Sequence, residues 1–408
     1  MLGLKGIPAT FGGVERHVEE LSARLAGRGH EVTVYCRRNY TPSGPFDHAQ
    51  GRPEQCRTGG SLHRGVRLRI LPSLSTKHLD AVSHTALAAA DIAARPFDVV
   101  HFHSAGPALL SFVPRIASRR PCAVVATVHA MDWRRRKWGP FARWWLRRGA
   151  WAAVTFPHRT IVVSRRMEGY FAGRGKRVLH IPNGVEAPCR APLDELRRLG
   201  VEKDQYVLWM GRFVPEKRVE DLIAAFLRLG GGLVRQSPER SRMGEGGMKL
   251  LLAGEVNEAD PYFQSLRSAA GGDPRIIFPG GLYGRAKAEA LSNAALVALT
   301  SDLEGFPIAL LEGMRYGRPV LASDIPENLE AVWPQVNGFT FRTGDPAALH
   351  ERMAWILAHP AEAAAAGRRA ERDSQQYDWD VIAGQVDSVY RAALKTTRND
   401  RSGSGSSC

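Results

Sequence analysis

Apolar positions along the first half of the chain alternate between helical and strand spacing. Val14, Val18, Leu21 and Leu25 recur at intervals of three or four residues, which predicts a helix over residues 14–29. Strands that alternate with such helical stretches are typical of a parallel sheet covered by helices, so the expected fold class is α/β. Compact apolar runs predict these strands at residues 31–36, 66–71, 99–102, 123–128 and 160–163.

The second half repeats the alternation with a new set of elements. A helix is predicted over 219–229, and two doubly wound sets without sequence repetition predict two Rossmann-like domains that face each other across a cleft. Ligands of such sheets bind at the carboxyl ends of the strands. The strands of the second set are predicted at residues 206–212, 249–253, 276–278, 296–300 and 320–322.

Composition shifts along the chain set the domain boundaries. Residues 1–185 form the predicted first domain and 186–374 the second, because Pro188 and Pro192 mark a linker. A helix over 375–395 follows the second domain.

Other segments carry little core-forming content. The Ser- and Gly-rich residues 396–408 are predicted to be a disordered tail, 40–64 a mobile loop and 230–248 an insertion. Only Met1 and Leu2 precede a Gly-rich loop, so we expect a truncated first strand.

Two carboxylates, Glu304 and Glu312, mark a candidate site in the second domain. If a helix begins near Pro307, their spacing is a little over two turns and both carboxylates face the same way. Free N–H groups at the helix start would bind an anion, so the segment suits a sugar attached to a phosphate. The residues between the carboxylates that would line this site are Gly305, Phe306, Pro307 and Ile308.

Two cations follow the first strand of the second domain. Arg212 leaves the carboxyl end of that strand, and Lys217 lies just before the next helix. Such a pair can clamp a diphosphate and stabilise charge that develops on a departing phosphate. The alternative is a solvent-exposed turn with ordinary charges.

The order and spacing of these motifs resemble the retaining glycosyltransferases of family 4, which have the GT-B fold. The residues that carry the resemblance are Gly-Arg-Phe-Val-Pro-Glu-Lys at 211–217 and Glu-Gly-Phe-Pro-x4-Glu at 304–312. The resemblance covers almost the whole chain and includes Gly12-Gly13, His129 and Asn183-Gly184. It implies bacterial cell-surface polysaccharide synthesis and a closing helix that crosses back to the first domain.

The resemblance also implies roles for individual residues. The positions of Arg212 and Lys217 bind the donor diphosphate, and that of Glu312 binds the nucleotide ribose. Glu304 and His129 match positions beside the donor sugar, so His129, Glu304, Arg212 and Lys217 are the candidate catalytic residues. Front-face attack, with the departing phosphate helping to deprotonate the acceptor, is implied by the resemblance alone.

Several first-domain residues are candidates for substrate binding. Gly12 and Gly13 permit close approach of the backbone to a ligand, although a plain tight turn is the alternative. Asn183 belongs to the Asn-Gly turn at the linker, and the family resemblance includes it. Asp132 orients His129 or an acceptor hydroxyl in one interpretation and caps a helix in the other. Ala130 departs from a related bacterial subgroup, which has Gly after the His, so donor affinity is expected to differ.

The glycine pattern and the cysteines exclude some cofactor classes. The first loop is not G-x-G-x-x-G and no acidic residue ends the next strand, which argues against a dinucleotide cofactor. The five cysteines are scattered, and no Asp-x-Asp lies near the predicted site, so we expect neither a metal ion nor any other cofactor.

Basic charge is concentrated in the first half. Residues 1–182 hold 29 Lys/Arg against 11 Asp/Glu, while 183–408 hold 27 against 30. An anionic partner is one explanation, and the arginine bias of a GC-rich genome is the other.

Residues 133–151 contain seven cations and five tryptophans and predict peripheral contact with an anionic membrane. Tryptophans packed in the core are the alternative, and nucleic acid is not the expected partner. No apolar run approaches the roughly 18 residues of a spanning helix and no signal peptide is evident, which predicts a cytoplasmic location.

These features together predict a retaining glycosyltransferase that uses a nucleotide-sugar donor and a glycan or lipid-linked acceptor. A GT-B sugar phosphorylase or epimerase is the rival enzyme, although no strong candidate for a cofactor lysine is evident. A basic membrane-binding module with a decayed sugar site is the rival binding protein.

Overall fold

The computed structural model divides the chain into two units. Unit 1 comprises Met1–Asn183 and Trp379–Cys408, and unit 2 comprises Gly184–Asp378. The chain thus changes unit two residues before the first predicted boundary and four residues after the second. The structure describes residues 1–9, 12–40, 54–55, 61–74, 76, 79–136, 138–174, 177–229 and 247–404.

Unit 1 is an α/β unit with two four-stranded sheets. The strands are β1 (Thr33–Arg37), β2 (Glu54–Gln55), β3 (Ser61–His63), β4 (Val66–Leu71), β5 (Val99–His103), β6 (Ala123–Val128), β7 (Arg159–Val162) and β8 (Val178–His180). The helices before the linker are α1 (Gly13–Gly27), α2 (Asp80–Ala93), α3 (Ala105–Ala108), α4 (Val113–Ala117), α5 (Pro140–Thr155) and α6 (Arg165–Phe171).

The first two residues lie between the two sheets of unit 1. Leu2 forms a parallel bridge with Phe102 of β5, and the Tyr35 N–H of β1 donates to the Met1 carbonyl. Strands β5 to β8 are parallel in sequence order, whereas the other sheet has the order β1-β4-β3-β2. The short segment at 1–2 therefore occupies the place of a strand between β1 and β5.

Unit 2 contains one six-stranded parallel sheet in the order β11-β10-β9-β12-β13-β14. Its strands are β9 (Tyr206–Met210), β10 (Lys249–Ala253), β11 (Ile276–Gly280), β12 (Leu296–Leu299), β13 (Val320–Ser323) and β14 (Phe339–Phe341). Its helices are α7 (Val219–Leu227), α8 (Pro261–Ala270), α9 (Gly284–Asn293), α10 (Ile308–Arg315), α11 (Pro326–Leu329), α12 (Pro346–Ala358) and α13 (Pro360–Asp373).

The strand order of unit 2 reverses between β9 and β12. From β9 the chain adds β10 and β11 on one side, and it then returns to add β12 directly against the other side of β9. The connections that leave β9 and β12 diverge at such a point and leave a crevice at the carboxyl ends of the strands. Both predicted donor motifs follow these two strands.

The last helix, α14 (Trp379–Ser404), completes unit 1. Trp379, Ile382 and Val386 share a buried apolar cluster with Leu21 of α1 and Val125 of β6. The closing helix therefore packs on the first domain, as the family resemblance implied.

The predictions for the tail, for the loop and insertion, and for membrane-spanning helices have different outcomes. The disordered tail predicted over 396–408 is wrong up to residue 404, because helix α14 continues to Ser404. Adding residues to an existing helix costs far less free energy than starting a new one. Residues 405–408 and most of 230–248 lie outside the described residues, as do 41–53 and 56–60 of the predicted mobile loop. None of the described helices has both the length and the apolar content needed to cross a bilayer.

Helix α5 lies close against α3 because Gly149 lacks a side chain. A Cβ at Gly149 would stand 2.2 Å from the carbonyl oxygen of Ala105, which is a backbone atom that cannot turn away. Ala150 and Ala153, which are also small, are buried on the same helix. The position of α5 on unit 1 thus depends on one glycine.

We predict that Gly149→Ala lowers the free energy of unfolding by about 2–4 kcal/mol, because α5 must move off α3. Urea denaturation monitored by circular dichroism measures this loss. Gly169→Ala in α6 is the matched control, since a Cβ there meets nothing within 4 Å. That variant should be neutral or more stable by up to about 1 kcal/mol; equal effects of the two substitutions would contradict the packing argument.

Candidate active site

The loop that follows β9 carries the two predicted phosphate-binding cations. Arg212 is exposed, while the ring of the next residue, Phe213, stacks on Trp209 of β9 at 5.2 Å between centroids. A short 3-10 helix, Pro215–Lys217, brings Lys217 back toward the sheet. The aromatic stack fixes the backbone of the loop. The backbone positions of Arg212 and Lys217, on either side of Phe213, are therefore fixed as well.

The loop that follows β12 is joined to this first loop. The Thr300 hydroxyl donates to the Lys217 carbonyl at 2.7 Å, and the Asp302 N–H donates to the Glu216 carbonyl at 2.9 Å. The pairing of β9 with β12 places these loops side by side. Two motifs that lie far apart in sequence therefore form one site in unit 2.

Lys217 and Glu304 form an ion pair at the centre of this site. Their side chains are 17% and 11% exposed, and Glu304 also accepts a hydrogen bond from the Ser301 hydroxyl at 2.6 Å. Water has little access to the Lys217 and Glu304 side chains, so these contacts hold both groups in place. The two groups are thus positioned before any substrate binds.

The second predicted carboxylate has a different partner. Helix α10 begins at Ile308 with Pro307 as its N-cap, and Glu312 lies just over one turn inside it. Glu312 pairs with Lys287 of α9. The two carboxylates therefore bind separate cations, and Lys287 was missed because it comes from another helix.

The segment between the carboxylates is partly structural. Gly305, Phe306 and Pro307 are buried, and the Phe306 ring packs against Tyr377 at 5.3 Å between centroids. Ile308 is half-buried at the start of α10. Phe306 therefore anchors the loop in the core, and the N–H groups of the helix start lie next to it.

In unit 1, the Gly-rich loop is fastened to α1 by two carboxylates. Glu15 accepts a hydrogen bond from the Lys5 N–H at 3.1 Å, and Glu19 accepts one from the Ala9 N–H at 3.2 Å. Gly12 has φ of 107°, and a Cβ there would lie 2.2 Å from a carboxylate oxygen of Glu15. The positive φ is what favours glycine at position 12, since the carboxylate end of Glu15 can turn aside, and Gly13 begins α1.

His129 directly follows β6 and belongs to a buried histidine cluster, which we define as His17, His101, His103 and His129. His103 Nδ1 and His129 Nε2 share a hydrogen bond at 3.1 Å. His17 Nδ1 donates to the side-chain oxygen of Asn183 at 2.9 Å. Two predicted site residues, His129 and Asn183, are thus brought together through His17 and its neighbours.

One member of the histidine cluster, His101, is held by hydrogen bonds on both sides of its ring. His101 Nδ1 bonds to the Tyr390 hydroxyl of α14 and His101 Nε2 to the Thr127 hydroxyl, each at 2.7 Å. Burial lowers the pKa of His17 to about 4, and burial holds the pKa of His103 and His129 well below the usual value. The cluster is therefore neutral at neutral pH.

One sequence signal could have found part of this cluster. His101 and His103 are two residues apart on β5, so both point to the same face, and β5 pairs with β6, which leads to His129. His17 gives no such signal, because α1 reaches the sheet only through tertiary packing.

Asp132 does not take the capping role predicted for it, because Met131 holds the N-cap position of the helix. It opens a short 3-10 helix, Asp132–Arg134, without a side-chain cap, and its carboxylate pairs with Arg135 at 2.8 Å. Arg135 and His129 each lie three positions from Asp132, and the carboxylate pairs with the arginine because the guanidinium always carries a positive charge.

Comparisons with known proteins agree with this arrangement. A family model described as Glycosyltransferase Family 4 matches residues 11–188, and one described as Glycosyl transferases group 1 matches residues 194–373. The chain belongs to the family 4 glycosyltransferases of the GT-B fold. It is therefore an enzyme of the glycosyltransferase class.

Individual relatives of this glycosyltransferase extend over nearly its full length. The chain is 27% identical to glycogen synthase from Mycobacterium tuberculosis, covering 96% of this chain and 94% of the relative. It is 27% identical to phosphatidyl-myo-inositol mannosyltransferase from Mycobacterium leprae, covering 93% and 92%.

Solved structures share the fold. Sucrose-phosphate synthase from Thermosynechococcus elongatus superposes with a TM-score of 0.76 at 20% identity, over 97% of this chain and 96% of that one. The Anabaena protein HepE in complex with UDP-glucose gives 0.73 at 20% identity, over 96% and 98%.

We predict that Tyr390→Phe destabilises the protein by about 1–3 kcal/mol, because it leaves a buried nitrogen of His101 without its partner. Urea denaturation at neutral pH measures the loss. Tyr170→Phe is the matched control in unit 1, where no hydrogen bond of the hydroxyl is lost, and it should stay within about 0.5 kcal/mol of the parent. A Tyr390→Phe protein as stable as the control would contradict the structural role of α14 in the cluster.

Proposed function

We propose that this glycosyltransferase moves a sugar from a nucleoside-diphosphate sugar to a glycan or lipid-linked acceptor, with retention of anomeric configuration, in cell-envelope polysaccharide synthesis. The carrying observation is the joined pair of loops after β9 and β12, with Arg212, Lys217 and Glu304 at the switch point of unit 2. Relatives named as glycogen synthase and mannosyltransferase, and a neighbour crystallised with UDP-glucose, support the donor and acceptor classes.

The bond changes of this transfer can be assigned to groups in the site. The bond from sugar C1 to the departing diphosphate breaks, the acceptor oxygen bonds to C1 on the same face, and the acceptor proton passes to the departing phosphate. Arg212 and Lys217 stabilise the negative charge that develops on that phosphate. Two cations in this role make a divalent metal unnecessary, so the proposed transfer requires no metal ion.

The Lys217–Glu304 ion pair gives a reason why the donor diphosphate binds before the sugar hydroxyls do. A diphosphate that binds Lys217 replaces its carboxylate partner, and Glu304 is then available to accept hydrogen bonds from sugar hydroxyls. Glu312, on α10, binds the ribose of the donor. In unit 1, His129 holds a sugar hydroxyl, while Gly12, Gly13, Asp132 and Asn183 remain proposed substrate contacts.

We predict that a saturating nucleoside-diphosphate sugar raises the melting temperature by roughly 5 °C in buffer containing EDTA. Differential scanning fluorimetry with UDP-glucose and a panel of other donors measures the shift and identifies the nucleotide. Lys217→Ala should remove most of the shift, because the diphosphate loses a charge-assisted contact of about 1.5–3 kcal/mol.

The matched control is Lys203→Ala, which removes an exposed lysine of the same unit and should leave the shift unchanged. Glu304→Ala should retain nucleotide binding and lose sugar transfer. If no donor shifts the melting temperature, or if Lys217→Ala and Lys203→Ala behave alike, the proposed donor site is wrong.

We further propose that an exposed basic and aromatic face of α5 holds the enzyme at the inner face of an anionic membrane. Phe141, Trp144 and Trp151 on this helix are 75%, 50% and 53% exposed. The Phe141 and Trp144 rings stack at 6.0 Å between centroids, and the guanidinium of Arg148 lies over Trp144 at 5.4 Å. Exposed aromatic rings beside arginines are typical of segments that bind the membrane interface.

Charge around this face favours anionic lipid. Residues 99–167 contain 13 Lys/Arg and a single acid, Asp132, which already pairs with Arg135. Ile116 of α4 is also exposed, and Trp151 packs edge-on against Phe156 at 5.3 Å. Trp133 is buried against Tyr170, so the core interpretation holds for this tryptophan. The proposed membrane contact therefore narrows from residues 133–151 to the exposed face of α5.

We predict that replacing Arg143, Arg147 and Arg148 with Gln weakens binding to phosphatidylglycerol vesicles by roughly 100-fold, since each basic residue near such a surface contributes about 1 kcal/mol. Replacing Phe141, Trp144 and Trp151 with Ala should also weaken it. Vesicle co-sedimentation measures both effects, and phosphatidylcholine vesicles should bind little of the parent protein.

Trp333→Ala is the matched control, because Trp333 is 55% exposed but lies in unit 2. It should bind vesicles as the parent does. Unchanged binding in both α5 variants would refute the membrane face without affecting the donor assignment.

A further inference from the structure

Three side chains of the histidine cluster are arranged as metal ligands are. One ring nitrogen from each of His17, His103 and His129 lies within 4.8 Å of the others, and all three residues are buried. Tetrahedral zinc sites use bonds of about 2.0–2.1 Å, so the nitrogens stand a little over about 3 Å apart. His103 Nδ1 and His129 Nε2 already have this separation, at 3.1 Å.

His17 presents the form of imidazole that binds a metal. Its Nδ1 donates to the Asn183 oxygen, which can only accept, so the lone pair is on Nε2. That Nε2 is buried and has no hydrogen-bond partner among the residues that the structure describes, as is also true of His103 Nε2. An imidazole fixed by a second hydrogen bond to an oxygen is the usual support of a metal-binding histidine.

The chemistry of the three rings selects a class of ion. All three ligands are imidazole rings, and each offers one nitrogen to the same buried space. Imidazole nitrogen suits zinc, cobalt, nickel and copper, whereas magnesium and calcium require oxygen. Three ligands leave a fourth position for water or another small group.

We propose that His17, His103 and His129 bind a divalent transition-metal ion of the zinc class, and that the bound ion inhibits sugar transfer. The ion replaces the hydrogen bond between His103 and His129 and occupies a nitrogen of His129. His129 is 8% exposed and is the most accessible of the three, so the ion enters from its side. The inhibitory part rests on the proposed role of His129 in holding a sugar hydroxyl; the binding part does not.

Binding is tested on the whole protein by titration with Co²⁺, followed by visible absorption, and with Zn²⁺, followed by calorimetry. One ion should bind per chain, with the intense visible bands of tetrahedral cobalt, and EDTA should remove it. His17→Ala should weaken binding at least 10-fold, whereas His350→Ala, a histidine of unit 2, should not. Absence of saturable binding to the parent, or equal binding by the two variants, would overturn the site.

A second measurement guards against variants that fail to fold. Excess Zn²⁺ should raise the melting temperature of the parent protein, and His17→Gln, which keeps a polar side chain, should lose this rise while keeping its circular dichroism spectrum. An unchanged rise in a folded His17→Gln protein would overturn the proposal.

Inhibition is tested separately from binding. Zn²⁺ should abolish transfer by the parent protein, and His17→Gln should need at least 10-fold more Zn²⁺ for the same effect. Full transfer by the zinc-loaded parent would overturn the inhibitory role and leave the site standing. If no donor supports transfer at all, the proposed function fails, while cobalt absorption still decides the metal site.

Discussion

Leaving a polar group without a partner costs free energy when folding removes it from water, and this constraint organises both units. In unit 1 it links His101 to Thr127 and Tyr390. The same constraint links His17 to Asn183 and His103 to His129. In unit 2 it pairs each candidate carboxylate with a lysine from a different part of the chain. The groups with the most distinctive chemistry are thus also those whose placement the fold must satisfy most strictly.

The sheet of unit 2 shows why the candidate site residues converge where they do. Strand β9 is central and β12 is its neighbour, although β10 and β11 lie between them in sequence. The loops after β9 and β12 therefore meet, and hydrogen bonds from Thr300 and Asp302 join them. Lys217 and Glu304, one from each loop, neutralise each other where the loops meet.

The sequence predicted what depends on local pattern and missed what depends on distant contact. Apolar periodicity located the strands, and the spacing of Arg212, Lys217, Glu304 and Glu312 identified the family, which the family models confirm. The individual roles of these residues stay predictions. The partners His17 and Lys287 could not be found, because their contacts cross more than 20 positions and leave no periodic signal. The capping role predicted for Asp132 is wrong, because Met131 holds the N-cap position and the Asp132 carboxylate pairs with Arg135.

The placement of α14 has a consequence for how the chain matures during translation. Unit 1 is made of the first and the last parts of the sequence, with the whole of unit 2 between them. While a ribosome synthesises residues 184–378, the apolar surfaces of α1 and β6 lack the cover that α14 provides, and His101 lacks Tyr390. Unit 2 can therefore fold first as a contiguous segment, and the amino-terminal unit is completed last. A nascent chain stalled before Trp379 would present an open core that is prone to aggregation and recognisable by chaperones.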